Sequence, residues 1–136
     1  MSVVNKSNRN DLLKSPETMT YRPLGRTGLE VSALSMGCMR LGEDQELNTA
    51  TVNRAIELGV NYFETTRGYC GGQCQQRTAP GLVGHQHQVI ASGKSACRPD
   101  ETAFGYRQEI ERQLDILGLT HFKFYQVGWF SWGMMP

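Results

Sequence analysis

The stretch Val60-Asn-Tyr-Phe-Glu-Thr-Thr-Arg-Gly-Tyr69 decides the fold of this chain. It begins with a short apolar run just after Gly59, a glycine typical of a helix end, and its charged and hydroxyl residues come only after that run. This order predicts a buried strand that leads into a loop, with Glu64 and Tyr69 at the C-terminal end of the strand. In parallel α/β folds the loops at this end carry the chemistry, because they can vary without disturbing the packed strands. The rest of the chain must then supply the other strands and the other members of a site.

Length and composition predict one soluble domain. The 136 residues are 39% apolar and 20% charged, and the mean hydropathy is negative, which argues against membrane spans. The formal net charge is +1 and the charges are dispersed along the chain. We therefore expect neither a nucleic-acid surface nor a membrane surface, and we expect a small molecule as the ligand.

The four cysteines are predicted to be reduced thiols of a cytoplasmic protein, because the sequence shows no secretory signal and does not resemble a disulfide scaffold. A metal site is the alternative interpretation. Cys70 and Cys74 precede His85 and His87, which superficially resembles a zinc pattern, although the spacing is not the usual one. In the expected fold a strand length of about 17–20 Å would separate the cysteines from the histidines, so we predict no metal site.

The N-terminal region is predicted to contain a disordered extension and a hairpin. Residues 1–18 are polar, carry mixed charge and lack an apolar core, which is typical of a disordered extension to a domain spanning residues 19–136. Residues 21–31 contain two short extended pieces around two glycines, the pattern of a β-hairpin.

Strands and helices alternate in the remainder of the chain. Core strands are predicted at residues 33–36, 60–63, 88–92 and 122–127, with residues 93–95 as the loop that leaves the third strand. Helices are predicted over residues 49–59 and 100–117, the latter capped by Asp100 or Thr102. A helix that begins near residue 71 should end before Pro80-Gly81, because proline removes a backbone donor. The alternation predicts a parallel sheet with right-handed crossovers.

Three motifs together resemble the aldo-keto reductase family. They are Tyr21-Arg-x-Leu-Gly-Arg-Thr-Gly-Leu-x-Val-Ser32, Met36-Gly-Cys-Met-Arg40 and Ala55-Ile-Glu-x-Gly-Val-Asn-Tyr-Phe63. The resemblance runs from about residue 21 to residue 126. It implies an α/β fold that is an incomplete (β/α)8 TIM-type barrel of about four βα units preceded by the hairpin, since a complete barrel needs roughly 250 residues.

The resemblance also implies the reduction of a small-molecule carbonyl by hydride transfer from NADPH. Hydride addition leaves negative charge on the carbonyl oxygen, so a tyrosine donates a proton, a nearby ammonium stabilises the charge left on the phenol, and a carboxylate orients the ammonium. Carried over by motif, the tyrosine is Tyr69 and the lysine is Lys94. The carboxylate is Glu64, where the family has an aspartate.

Several positions depart from the family pattern. Gly128 stands where the resemblance expects a histidine, so no imidazole is available there. Cys74 and Gln75 stand where the family opens its second helix with a serine and a glutamate. Most residues that hold the cofactor in the family belong to the half that this chain does not match. The weak candidates for cofactor contact in this sequence follow the first strand and are Gly37, Met39 and Arg40.

Two expectations follow from a half barrel. Its open edges predict self-association, and an apolar tail over residues 129–135 would add to it. The isolated chain is then expected to be inactive or weakly active. The alternative interpretation is a noncatalytic half-barrel fragment or pseudoenzyme that acts as a binding or interaction protein.

Overall fold

The structure, a computed structural model, describes residues 19–96 and 102–128. In these ranges the strands are β1 (Tyr21–Pro23), β2 (Glu30–Ser32), β3 (Met36–Gly37), β4 (Tyr62–Glu64), β5 (Ile90–Ser95) and β6 (Phe124–Val127). The helices are α1 (Gln45–Glu57), α2 (Cys74–Leu82) and α3 (Ala103–Leu117). The predicted extension over residues 1–18, the predicted tail over residues 129–135 and the candidate cap Asp100 lie outside the described residues.

The strands form a hairpin and a parallel sheet, as predicted. β1 and β2 pair antiparallel, and their turn is closed by a bond from the Leu24 N–H to the Leu29 carbonyl at 2.8 Å. The other four strands pair in parallel in the order β3-β4-β5-β6. Strand order therefore follows chain order, with one helix between successive strands from β3 onward, which is the arrangement of an incomplete βα barrel.

Strand register divides the parallel sheet into two faces. Directly paired residues of parallel strands point to the same side, and the side alternates along each strand. We call one side the outer face; its residues are Met36, Phe63, Ala91, Gly93, Ser95, Tyr125 and Val127. The other side, the inner face, carries Gly37, Tyr62, Glu64, Ile90, Ser92, Lys94, Phe124 and Gln126.

The hydrophobic core lies between the outer face and the helices. Phe63 is fully buried, and it clusters with Val52 of α1, Leu82 of α2 and Leu117 of α3. Each helix thus contributes a buried apolar side chain to the covering of β4. No helix within the two described ranges is both long enough and apolar enough to cross a bilayer.

The prediction that α2 ends before Pro80-Gly81 is wrong, because the helix continues to Leu82. Proline removes one backbone donor and disfavours the interior of a helix, but packing against α1 offsets that cost. A Cβ on Gly81 would overlap the Cβ of Val52, so the glycine permits close approach of the two helices. Tertiary packing therefore decides the end of this helix.

The boundaries of four other elements also differ from the prediction. α1 begins at Gln45, earlier than predicted, because the Asp44 carboxylate caps it by accepting from the Leu47 N–H at 3.0 Å. The first and second core strands are shorter than predicted and cover Met36–Gly37 and Tyr62–Glu64. Residues 93–95 are strand and not loop, because they pair with Tyr125, Gln126 and Val127 of β6.

Candidate active site

Two neighbouring strands bring a carboxylate and an ammonium together on the inner face. Glu64 ends β4, and Lys94 lies near the end of β5. Lys94 Nζ is 2.5 Å from Glu64 Oε1, and the two side chains are only 14% and 33% exposed respectively. Because both side chains are partly sheltered, solvent screens this ion pair less than an ordinary surface pair.

The loop after β4 carries Tyr69 to the same ammonium. Lys94 Nζ donates to Tyr69 Oη at 2.8 Å and lies 4.8 Å from the centre of its ring. The loop is fixed to β5 by two threonines. The Thr65 N–H donates to the Ser92 carbonyl at 2.9 Å, and the Thr66 hydroxyl donates to the Lys94 carbonyl at 2.8 Å. The three side chains singled out from the sequence therefore form one hydrogen-bonded chain, and their catalytic roles stay a prediction.

Electrostatics in this chain favour the charged form of the lysine. Burial by itself lowers the pKa of Lys94, but hydrogen bonds to Glu64 and Tyr69 and the charge of Glu64 outweigh it. The pKa of Lys94 is therefore raised above its usual 10.5. Lys94 is an ammonium at neutral pH and acts as a donor to both partners.

Gly128, the position where the resemblance expects a histidine, lies directly against the lysine. Its N–H donates to the Ser95 carbonyl at 2.7 Å, which extends the β5–β6 pairing by one residue. A Cβ on Gly128 would lie 2.6 Å from Lys94 Cγ, closer than side chains approach one another. The stem of Lys94 therefore occupies the space that a side chain at position 128 would need.

A buried polar network supports the site from the outer side of β5, and sequence reasoning missed it. Gln113 of α3 is fully buried. Its Nε2 donates to Tyr125 Oη at 2.9 Å and lies 3.4 Å from the Lys94 carbonyl, and its Oε1 accepts from Gln75 Nε2 at 2.9 Å. A signal existed in the sequence, since Gln113 falls on the helix face of Ile110 and Leu117, where an apolar residue is expected.

A second phenol lies near the network but differs from Tyr69 in its surroundings. Burial raises the pKa of Tyr125, with hydrogen bonding to Ser95 acting in the opposite direction. Its oxygen faces α3, on the outer face. Tyr125 is thus a protonated structural group, and Tyr69 is the phenol in contact with the ammonium.

The hydrogen-bonded chain borders a cleft of about 650 Å³. One wall holds Tyr69, Lys94 and Gly128, and the other is formed by the first half of α3. Arg67 on the loop is paired with Glu109 of α3 at 3.0 Å, and this ion pair joins the two walls. The volume falls within the range of pockets that hold small-molecule ligands.

The three candidate cofactor contacts lie at the same end of the sheet. Gly37 ends β3 and pairs with Glu64. Its φ of −84° is ordinary, and an added Cβ would meet no atom within 4 Å, so packing does not require a glycine there. Met39 and Arg40 follow in a short 3-10 turn and are exposed. The Met39 carbonyl accepts from the Cys70 thiol at 3.2 Å, so this turn contacts the segment that follows Tyr69.

The residues of the alternative zinc pattern do not assemble. Cys38, Cys70 and Cys74 are free thiols, whereas His85 and His87 follow α2 at the opposite end of the sheet from Tyr69. Across residues 19–96 and 102–128, no group of three or more histidine, cysteine, aspartate or glutamate side chains is arranged to hold a metal ion.

The chain is similar in sequence to two proteins of known name. No protein-family model matches the chain. An uncharacterised oxidoreductase of Bacillus subtilis is 26% identical over 118 residues, covering 80% of this chain and 39% of that protein. The L-galactose dehydrogenase of Arabidopsis thaliana is 33% identical over 113 residues, covering 74% of this chain and 35% of that protein.

The fold has a matching solved structure. The holo form of an aldo-keto reductase from Bacillus halodurans superposes with a TM-score of 0.71 at 26% identity, covering 79% of this chain and 39% of that one. The chain therefore spans less than two fifths of the length of these relatives. The incomplete barrel predicted from the sequence is confirmed by this match.

Proposed function

We propose that this chain, which matches aldo-keto reductases over about 80% of its length, provides the proton-donating part of an NADPH-dependent reduction of a small-molecule carbonyl. One observation carries the proposal: Glu64, Lys94 and Tyr69 form a continuous hydrogen-bonded chain at the end of a parallel sheet. The two curated relatives named above are called an oxidoreductase and a dehydrogenase, which supports the same class of chemistry.

Donor and acceptor roles make Tyr69 the proton donor. An ammonium has hydrogens and no lone pair, so in the 2.8 Å contact Lys94 Nζ donates and Tyr69 Oη accepts. The hydrogen of the phenol is then left for a second partner. A carbonyl oxygen in the cleft would accept it as negative charge develops there, and the charge left on Oη would face the ammonium.

Glu64 would act as a positioning residue for the lysine. A glutamate has one methylene more than the aspartate of the family pattern, and catalytic geometry tolerates displacements near 1 Å poorly. Here the longer side chain still reaches Lys94 Nζ at 2.5 Å, while the lysine keeps its bond to Tyr69. The substitution is therefore compatible with the proposed arrangement.

The residues present fit the nicotinamide end of NADPH better than its phosphate-bearing end. When bound, NADPH would supply the hydride. The cleft beside Tyr69 is large enough for a nicotinamide and its ribose, and Gly37, with open space at its Cβ position, would allow a ligand to approach the backbone. Met39 and the exposed Arg40 remain weak candidates for further contact with the cofactor. The cations of the cleft include Lys94 and Arg67, and both already have carboxylate partners.

A second candidate, a noncatalytic binding or interaction protein, is favoured by Gly128. The Lys94 stem fills the place of a fourth catalytic side chain, so the site has three members of the four that the resemblance implies.

The edge strands β3 and β6 have unpaired sides within the described sheet, and self-association through them stays a prediction. A cytoplasmic location also stays a prediction.

Cofactor binding and turnover test the proposal in sequence. The chain would first be titrated with NADPH while nicotinamide fluorescence is followed, and saturation at micromolar cofactor is expected. NADPH oxidation would then be measured with a small aromatic aldehyde. Tyr69→Phe should lower kcat about 10²–10⁴-fold, the usual contribution of a general acid, without weakening NADPH binding.

A matched tyrosine provides the control. Tyr21→Phe removes a phenol that donates to the Gly59 carbonyl at 2.8 Å in the hairpin region, far along the chain from the cleft, and should leave kcat unchanged. No saturable change at millimolar NADPH would reject the reductase and leave the noncatalytic candidate. Equal activity of Tyr69→Phe and wild type would reject the role of Tyr69.

A further inference from the structure

Three cysteines cluster immediately behind the proposed proton donor, and the proposed chemistry uses none of them. Cys70 Sγ lies 3.7 Å and Cys74 Sγ lies 3.5 Å from the same acceptor, the Cys38 carbonyl oxygen. Two thiols that are separated by one turn of chain therefore lie beside the same carbonyl oxygen.

The members of this cluster differ in access. Cys38 and Cys74 are buried, at 1% and 0% exposure, whereas Cys70 is partly exposed. Cys70 lines an open groove together with the side chains of Glu43, Gln73 and Arg77. A small dissolved oxidant can therefore reach Cys70 first.

The two buried thiols are weakly acidic. Burial raises the pKa of Cys38 to about 12, against an opposing hydrogen bond to Thr78. Burial also raises the pKa of Cys74, against an opposing hydrogen bond to the Thr66 backbone. Both buried thiols are protonated at neutral pH and shielded from a dissolved oxidant, so neither is the first to react with it.

The backbone at Cys70 is held in an uncommon conformation. Its φ is +54°, and it is the only residue other than glycine with a positive φ in the described ranges. Side chains are disfavoured there, because Cβ approaches the following carbonyl oxygen. Cys70 is followed by two glycines that also have positive φ, so the turn between Tyr69 and α2 can adjust its backbone when a new bond forms.

We propose that Cys70 and Cys74 form an oxidation-sensitive thiol pair that closes an intramolecular disulfide when the chain meets a peroxide. Cys70, accessible from the groove, is the residue that the peroxide oxidises. Cys74, buried beside the same carbonyl oxygen as Cys70, is the residue that resolves the product. Cys38 contributes its carbonyl oxygen as the shared acceptor of the two thiols and not its sulfur.

The chemistry balances with hydrogen peroxide as the oxidant. The Cys70 sulfur attacks one peroxide oxygen, the O–O bond breaks, and Cys70 sulfenic acid and one water are formed. The Cys74 sulfur then attacks the Cys70 sulfur, a second water leaves with the Cys74 proton, and the S–S bond is made. Two thiols lose two electrons and two protons, and one peroxide is reduced to two waters.

A consequence for the proposed reductase follows from the place of the pair. Tyr69 precedes Cys70 directly, and its carbonyl accepts from the N–H groups of Gly72 and Cys74 at 3.0 and 3.2 Å. A bond across this turn would shift Tyr69 relative to Lys94. This consequence rests on the proposed function, whereas the formation of the disulfide does not.

Peptide mapping tests the pair directly. The chain would be treated with hydrogen peroxide under native conditions, alkylated with iodoacetamide after denaturation, and digested with trypsin. Cleavage after Arg67 and Arg77 places Cys70 and Cys74 together in residues 68–77, while Cys38 falls in residues 27–40. The expected result is a 68–77 peptide that has lost two hydrogen masses, carries no alkyl group, and regains both thiols with dithiothreitol.

The other outcomes overturn the proposal. They are two alkylated cysteines in residues 68–77, a cross-link of that peptide to residues 27–40, a disulfide between two chains, or Cys70 sulfinic acid as the main product. Cys38→Ala and Cys97→Ala should each leave the modified peptide unchanged. In an active preparation the modification should coincide with a loss of turnover that dithiothreitol reverses. A modified peptide with unchanged turnover would reject only the effect on Tyr69.

Discussion

The outer and inner faces of the four-stranded sheet carry different kinds of side chain. On the outer face of β4, Phe63 is 0% exposed beneath the three helices. One residue to either side, Tyr62 and Glu64 point to the inner face and are only partly buried. Along β4 the outer face is thus apolar and closed, and the inner face is polar and partly exposed.

The charged site is held in place although, within the described ranges, no closed apolar shell surrounds it. The side chains alternate along a strand, so a strand fixed by packing on one face fixes the residues of the other face as well. Lys94 follows Gly93, whose Cα is enclosed by the rings of Phe122 and Tyr125. The stability of the outer face therefore positions the ammonium that contacts Glu64 and Tyr69.

The largest effect is expected from opening the outer face. Phe63→Ala removes a fully buried ring and should lower the free energy of unfolding by about 3–5 kcal/mol, the usual cost of such a cavity. The free energy would be measured by urea denaturation, with circular dichroism as the signal. Leu34→Ala is the control, because Leu34 is 67% exposed and surface substitutions usually change stability by less than about 0.5 kcal/mol. Similar losses in both variants would show that the outer face is not the core.

An intermediate effect is expected from overfilling the outer face. A Cβ on Gly93 would lie 2.8 Å from atoms of both Phe122 and Tyr125, so Gly93→Ala should lower the free energy of unfolding by about 1–3 kcal/mol. Gly37→Ala makes the same change on the inner face, where nothing lies within 4 Å of the added carbon, and should be neutral or slightly stabilising. Equal destabilisation by the two alanines would contradict the assignment of the faces.

Sequence patterns predicted the elements whose signals are local. The hairpin, the parallel sheet and the helix capped by Thr102 were all readable from turn glycines, apolar runs and capping residues. The approach of Glu64, Lys94 and Tyr69 was also predicted, by resemblance to a family. Their positions follow from strand ends, and strand ends meet at one edge of a parallel sheet.

Long-range packing decided what the sequence could not predict. Pro80 and Gly81 remain helical because α1 packs against them, a contact separated by about thirty residues of chain. Lys94 is in a strand because β6 pairs with it. The polar network of Gln113 and Gln75 depends on two helices and a strand meeting behind the site. Local propensity carries no information about such contacts.

The smallest effect is expected on the inner face and depends on pH. The partners of Lys94 raise its pKa in the folded chain above the usual 10.5. The stabilisation that comes from the lysine charge is therefore fully present below pH 10.5. It is lost as the pH rises through the higher pKa of the folded chain. Glu64→Gln removes the carboxylate partner. Wild type should exceed this variant by about 1 kcal/mol in free energy of unfolding at neutral pH, since partial exposure screens the pair.

That difference should shrink toward zero in urea denaturation series carried above pH 10.5. The series should stay below the pKa of the Cys38 thiol, about 12, because Glu64 contributes to raising that pKa and the thiol would ionise differently in the two proteins. Glu57→Gln is the matched control, because Glu57 pairs with Arg54 at 2.9 Å on the exposed side of α1 and arginine does not titrate in this range. Its difference from wild type should stay constant with pH. The free-energy difference between wild type and Glu64→Gln could instead also stay constant with pH. The Glu64–Lys94 pair would then not depend on the charge of the lysine, and the two faces would differ in packing alone.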